Sequence, residues 1–155
     1  MRRLRMDGFD LRILSALQEN GRLTSQELAE KVGLSPSQCA RRRQQLEVDG
    51  VIAGYRAVFD AERLGFGLTA IVDVVLNTHN ADNSRHFAEL VNRLPQIREA
   101  YALTGEMDYQ LKLVVRDLKE LNQLINETLV TDRSVQTVKS AIVLARMKDK
   151  GGLPI

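Results

Sequence analysis

One cysteine, Cys39, in 155 residues leaves no partner for a disulfide within the chain and no thiolate set for a zinc cluster, a pattern suited to a reducing cytoplasm. Histidine is nearly as scarce. His79 and His86 stand seven residues apart around a turn with no further ligand nearby, so neither a metal nor a cofactor is expected and both read as surface residues. The longest apolar stretch, from Leu68 to Leu76, is broken by Thr69 and Asp73 and is too short to cross a bilayer. The opening MRRLRMDGFD lacks the apolar segment of a secretory signal, so a cytoplasmic protein with no membrane partner is expected. Charge of one sign is also missing: the net value is +2, with ten basic and seven acidic side chains over residues 1–59 (+3) and twelve against thirteen over residues 60–155 (−1). That modest N-terminal excess favours nucleic acid, with affinity built up from several subunits acting together. An apolar content of 44% suffices for one ordinary core or two small ones.

What is present begins with three capped helices. Asp7, with Asp10 three residues on, opens a helix whose stripe is Phe9, Ile13, Leu14 and Leu17, ending at Asn20-Gly21. Thr24 with Glu27 forms a capping box for a second, carrying Leu28, Ala29 and Val32 before Gly33 stops it. Ser35, Pro36 and Gln38 then open a third, proline sitting at the first helical position where its missing N–H costs nothing. Two short helices around a Gly-Leu turn are the grammar of a helix-turn-helix. On the third helix Cys39, Arg43 and Leu46 share one arc, while Ser37, Arg41, Gln44, Gln45 and Val48 point the other way. Ser35, Ser37, Gln38 and Arg41, near its N-terminus, are placed to meet double-stranded DNA, where arginine pairs with guanine and glutamine with adenine. Gln44 and Gln45 lie further along, and Arg42, on the border, suits a phosphate. The plainer reading of Arg41, Arg42 and Arg43 is a solvated basic face; the capped helices before them argue for DNA. Arg43 falls on the core arc, so its stem must pack and its head must reach water or Glu47 four residues on. Cys39, on the same arc, reads as a small buried thiol. Arg2, Arg3 and Arg5 form either a phosphate-touching arm or a frayed tail.

After Asp49-Gly50 the segment VIAGYRAVF alternates weakly, like a wing strand that also serves as a connector. This gives a winged helix-turn-helix domain over residues 1–59, a linker over 60–66 and a second domain over 67–155. Leu68, Ala70, Val72, Val74 and Leu76 form the apolar face of a strand. Phe87, Leu90, Val91 and Leu94 align on a helix over 84–94 that Pro95 ends. Residues 97–104 and 109–115 read as strands joined by a hairpin-length turn, a helix follows over 118–129, and 135–145 is a last strand. The order β-α-β-β-α-β is the ferredoxin-like split unit, so the fold class is α+β. Its helices cover one sheet face, leaving Ile71, Val114 and Val143 on the other for a second subunit to cover. A dimer would present two reading helices to half-sites about 10 bp apart, or a multiple of that.

The segments LSPSQC, LEVDGVIAGY, LTGEMDY and SAIVLARMK together resemble the leucine-responsive and asparagine-responsive (Lrp/AsnC) family of transcription regulators, over nearly the whole chain. The resemblance implies homodimers that assemble further, commonly to octamers, and a small-molecule effector, typically an amino acid, near the GxxDY hairpin. Carried onto this chain, the pocket would comprise Leu103, Thr104, Gly105, Met107, Asp108 and Tyr109, with Ser140 and Ile142 of the last strand near by. Asp108 can accept from a zwitterion's ammonium and the turn N–H groups around Gly105 can donate to its carboxylate; the plainer reading makes Gly105 a turn former and Asp108 its cap. Three positions depart from the family pattern: Glu106 replaces a shorter acid, Val138 a frequent hydroxyl, and Arg43 an apolar residue. Two other classes share the scaffold. Siroheme decarboxylases resemble it as enzymes, which the basic third helix and the placing of the histidines argue against, and an effector-free architectural DNA-binding protein would bind all duplexes equally.

Overall fold

A computed structural model describes residues 6–148 and 151–155, in two units: Met1–Val58 with Lys148–Ile155, and Phe59–Met147. The expected arm at Arg2, Arg3 and Arg5 lies outside the described residues.

The first unit holds α1 (Gly8–Glu19), α2 (Ser25–Val32) and α3 (Pro36–Val48). Each begins on a complete capping box, Asp7 with Asp10, Thr24 with Glu27 and Ser35 with Gln38. The reciprocal bonds satisfy N–H groups that a helix start otherwise leaves open. Gly33 ends α2 at φ +74°, a left-handed conformation that strains any side chain. Ile13, Leu28 and Cys39 are fully buried at the centre, with Leu17, Leu23, Val32 and Leu46 around them. Burial pushes the Cys39 thiol up, so it stays protonated and unreactive.

The strand expected after α3 does not form. Ile52 N–H donates to Leu46 O (3.0 Å), and the described residues beyond it run to Asp60 with no strand partner. A strand needs a neighbour for its ladder, and this unit offers none. The segment is held by side chains instead: Tyr55 OH donates to Glu47 Oε1 (2.7 Å), and Arg43 lies over the Tyr55 ring at 4.8 Å. Arg43 also donates to Glu47 Oε1 (3.1 Å) and to Leu23 O (3.0 Å), so the basic residue on the core arc bolts α3 to the start of α2. The far C-terminus, expected with the second domain, groups with the first unit. There Leu153 N–H donates to Gln18 Oε1 (2.7 Å) and Gln18 Nε2 returns a bond to Leu153 O (2.8 Å).

The second unit runs β1 (Leu68–Leu76), α4 (Ala81–Arg93), β2 (Ile97–Ala102), β3 (Tyr109–Val115), α5 (Leu118–Gln123) and β4 (Val135–Ile142), with a short 3₁₀ turn at Glu62–Leu64 before it. The sheet is antiparallel in the order β2-β3-β1-β4, the ferredoxin-like arrangement. Ala70, Val72, Val74 and Leu76 of β1 and Leu111, Leu113 and Val115 of β3 form the buried face, against Phe87, Leu90, Leu121, Leu124 and Leu129. After α5 the chain widens into a π-helical stretch, Leu124–Leu129, where Val130 N–H reaches Ile125 O (2.8 Å). Residues five apart on an α-helix diverge by about 140°; the wider turn brings Leu124 and Leu129 to the same core.

Cross-strand partners share a face, so Ile71, Asp73, Gln110, Lys112 and Val114 lie on the side away from the helices. This face is mixed in character. Gln110 Nε2 donates to Asp73 Oδ1 (3.0 Å), and Lys112 Nζ pairs with Glu99 Oε1 (2.7 Å).

His86 departs from its expected surface position. It projects from α4, half-buried, and its Nε2 lies 2.9 Å from Asp132 Oδ2. Burial pushes the Asp132 carboxyl up, but the Ser134 hydroxyl and N–H together with His86 outweigh it and hold the group below its ordinary value of 3.8. A lowered folded-state value stabilises the fold above about pH 4 and loses that contribution as the pH falls further. Asp132→Asn should therefore cost about 1–3 kcal/mol at pH 7 and flatten the acid limb of the stability curve below pH 4, both read from urea titrations followed by circular dichroism. An unchanged midpoint at pH 7 would remove Asp132 as the tie between α4 and β4.

Candidate functional sites

The first site is the outward face of α3. Proline at its first turn and the Ser35 cap fix where the helix starts, and Cys39 and Leu46 fix which side faces the core. The opposite side then carries Ser37, Arg41, Gln44 and Gln45, all exposed. Ser35 caps with Oγ accepting Gln38 N–H (3.3 Å), and Gln38 Oε1 accepts from Ser35 N–H (3.0 Å). The Gln38 amide NH₂ remains available as a donor. Ser37 Oγ lies 3.1 Å from Ser35 Oγ, and Gln45 Nε2 donates to Asp49 Oδ1 (2.9 Å). Arg41 and Gln44 have no side-chain hydrogen bond or ion pair among the described residues, so their full donor sets face outward.

Arg42 is differently placed. Its Nη1 lies 2.7 Å from Asp10 Oδ1 and 2.9 Å from Asp7 Oδ2, and its guanidinium sits 5.6 Å from the centre of the Phe9 ring. The Asp10 N–H and Arg42 draw the Asp7 carboxyl below the usual range, and the Asp10 and Asp7 carboxylates raise Arg42 further. The residue expected at a phosphate thus ties α3 to the cap of α1. Its partners are 32 residues away or more, too far for a helical wheel to place.

The second site lies where β1 ends beside the β2–β3 hairpin. Antiparallel pairing puts Val74 opposite Tyr109, so the loop after β1 must meet the start of β3. Leu103 N–H donates to Asp108 O (2.8 Å) and Asp108 N–H to Val74 O (3.0 Å), closing the hairpin. Gly105, at φ +142°, makes the turn in a conformation that side chains avoid. A cavity of about 280 Å³ opens here, bounded by Leu76, His79, Asn80, Ala81, Ser84, Ala102, Leu103, Asp108 and Tyr109. Asp108 is its one carboxylate: Oδ2 accepts Leu76 N–H (2.7 Å), and Oδ1 lies 3.3 Å from His79 Nδ1. Asn80 Oδ1 caps α4 by accepting Asn83 N–H (2.8 Å), which leaves the Asn80 amide NH₂ and the Ser84 hydroxyl as donors on the wall.

Of the expected pocket residues, Leu103, Asp108 and Tyr109 bound this cavity. Thr104, Gly105 and Met107 stay in the turn beyond it. Ser140 and Ile142 stand opposite Val72 and Ala70, toward the other end of β1. Sequence reasoning passed over His79, Asn80 and Ser84. The signal was the antiparallel order itself, which brings the β1–α4 loop to the hairpin. A larger cavity of about 440 Å³ lies elsewhere in this unit, among Phe59, Leu64, Phe66, Pro95 and Val114, and holds none of the expected effector residues. Among the described residues no group of His, Cys, Asp and Glu could hold a metal, and no helix is long and apolar enough to cross a membrane.

Comparison with known proteins matches two family domains along the chain. Residues 6–47 match the AsnC-type helix-turn-helix domain, and residues 69–153 match the Lrp/AsnC ligand binding domain. The leucine-responsive regulatory protein of Rhizobium meliloti is 38% identical over 147 residues, covering 95% of this chain and 94% of its own. The glutamate uptake regulatory protein of Zymomonas mobilis is 35% identical over 151 residues, with 97% and 92% covered. Among solved structures, a transcriptional regulator from Neisseria meningitidis in complex with L-Met superposes with a TM-score of 0.93 at 39% identity, over 97% of each chain.

Proposed function

Because this chain belongs to the Lrp/AsnC family, a family of DNA-binding transcription regulators and not of enzymes, we propose that an amino acid enters the cavity beside Asp108 and shifts the grip of the helix-turn-helix on DNA. The carrying observation is a carboxylate fixed by a backbone N–H inside a small cavity whose remaining walls combine apolar side chains with hydrogen-bond donors. A zwitterion needs an acceptor for its ammonium and donors for its carboxylate. Asp108 Oδ1 is the acceptor, and the Asn80 amide and Ser84 hydroxyl are the donors. Leu76, Ala102, Leu103 and Tyr109 leave room for an apolar side chain. A relative named as leucine-responsive, another named as a regulator of glutamate uptake, and one solved with L-Met support an amino acid as the class.

On DNA, Arg41, Gln38, Gln44 and Ser37 read base edges, while Ser35 and Gln45 flank them. The open sheet face, with Ile71, Val114 and the Asp73–Gln110 pair, receives a second copy, and the dimers assemble further in the cytoplasm. The effector and DNA sites are then coupled through the assembly, each ligand altering affinity for the other by the same factor. Fluorescence anisotropy with a fragment from the protein's own promoter, titrated with and without each of the twenty amino acids, tests this. A selective shift in affinity for one chemical group of amino acids is expected. Equal affinity for every duplex, unmoved by all twenty, would overturn it in favour of an architectural protein.

A further inference from the structure

Asp108 meets the cavity with one of its two carboxylate oxygens already bonded. Oδ2 accepts the Leu76 N–H at 2.7 Å, so Oδ1 is the oxygen left for a ligand's ammonium. That oxygen is covered by His79, whose Nδ1 lies 3.3 Å away. The imidazole is 70% exposed and makes no other polar contact among the described residues, so it can swing from the mouth of the cavity without disturbing the core. The other charged and titratable groups are few. On the wall the Tyr109 phenol is the one other ionisable side chain. Asp82 and Arg85, on the first turns of α4, face each other at 3.8 Å, and Glu106 belongs to the hairpin turn and not to the cavity. No second carboxylate on the wall can take the imidazolium once the ammonium has arrived.

We infer that His79 competes with the effector's ammonium for Asp108 Oδ1, so that capture of the effector weakens the hold of the His79 imidazole on a proton. The inference rests on the reading of this cavity as the effector site. With a proton on His79 the cavity holds an internal ion pair, and an incoming ammonium meets a neighbouring like charge. Without it, Asp108 presents a net negative charge to the ligand. Effector affinity therefore rises with pH through the range in which imidazole side chains titrate and is flat above it.

The test uses the full chain and isothermal titration with the twenty amino acids at pH 8.0, followed by the tightest of them at pH 5.5, 6.5, 7.5 and 8.5. Wild type should show a several-fold rise in affinity from pH 5.5 to pH 8.5, and His79→Gln, which keeps a polar side chain but cannot titrate there, should bind equally at all four values. Titration at pH 6.0 in two buffers of different ionisation enthalpy should find net proton release on binding in wild type and none in the variant. A flat wild-type profile, a profile rising toward acid, or a pH dependence that survives His79→Gln would each overturn the competition while leaving the effector site standing. Failure of all twenty amino acids to bind at pH 8.0 would overturn the effector reading and the competition together.

Discussion

Arg41→Ala is expected to lower affinity for the operator by about 5- to 150-fold per half-site, corresponding to roughly 1–3 kcal/mol for a lost bidentate base contact, and to relax preference at one base position. Arg41 is exposed on the outward side of α3 and carries no partner among the described residues, so nothing in the fold compensates or competes for it. Its neighbour supplies the control. Arg42 is paired with Asp7 and Asp10, so Arg42→Ala should lower the melting temperature by leaving the α1 cap without its cation, while base preference stays as in wild type. A salt titration separates base reading from phosphate contact: a group neutralising one phosphate changes the slope of log affinity against log salt by about one, uniformly across sequences. Normal operator affinity for Arg41→Ala, or the same loss on every duplex, would show that another residue reads the base.

Asp108→Asn is expected to weaken effector binding by at least 30-fold, since removing one member of a hydrogen-bonded charge pair in a sheltered site costs about 2–5 kcal/mol. DNA affinity without effector should stay within about twofold of wild type. Asparagine is the informative substitution. Alanine would also strip the acceptor from Leu76 N–H, and an orphaned N–H costs about 1–3 kcal/mol of stability, so loss of binding and loss of fold would be confounded. An effector response retained in Asp108→Asn would show that the carboxylate serves the hairpin alone.

The two candidate sites were legible in the sequence to different depths. The caps at Asp7, Thr24 and Ser35 were legible because a helix start is a local event: donor and acceptor stand three residues apart, and the short side chain that closes the box is visible in the string. The burial of Cys39 and Leu46 followed from helical period, as did the pairing of Arg43 with Glu47. The period could not show that Arg43 would also reach Leu23 O and the Tyr55 ring, or that Arg42 would turn to α1, because those partners come from other segments. The wing failed for a related reason. Alternation marks a segment able to form a strand, and without a neighbour to complete the ladder residues 53–60 form none.

In the second unit, the alternation of β1 and the hairpin glycine placed the strands and the turn, and with them Asp108. The cavity was decided elsewhere. His79, Asn80 and Ser84 are adjacent to Asp108 only because β1 and β3 pair antiparallel with Val74 opposite Tyr109, while Ser140 and Ile142, equally plausible by alternation, are carried toward the opposite end by the β1–β4 register. From its own string the chain specified its elements, their caps, their buried faces and a helix-turn-helix suited to DNA, all of which depend on neighbours within a few residues. Which charged side chains remain free for a ligand was settled only in three dimensions, because a guanidinium or carboxylate takes whatever counter-group the packed fold brings within hydrogen-bond reach.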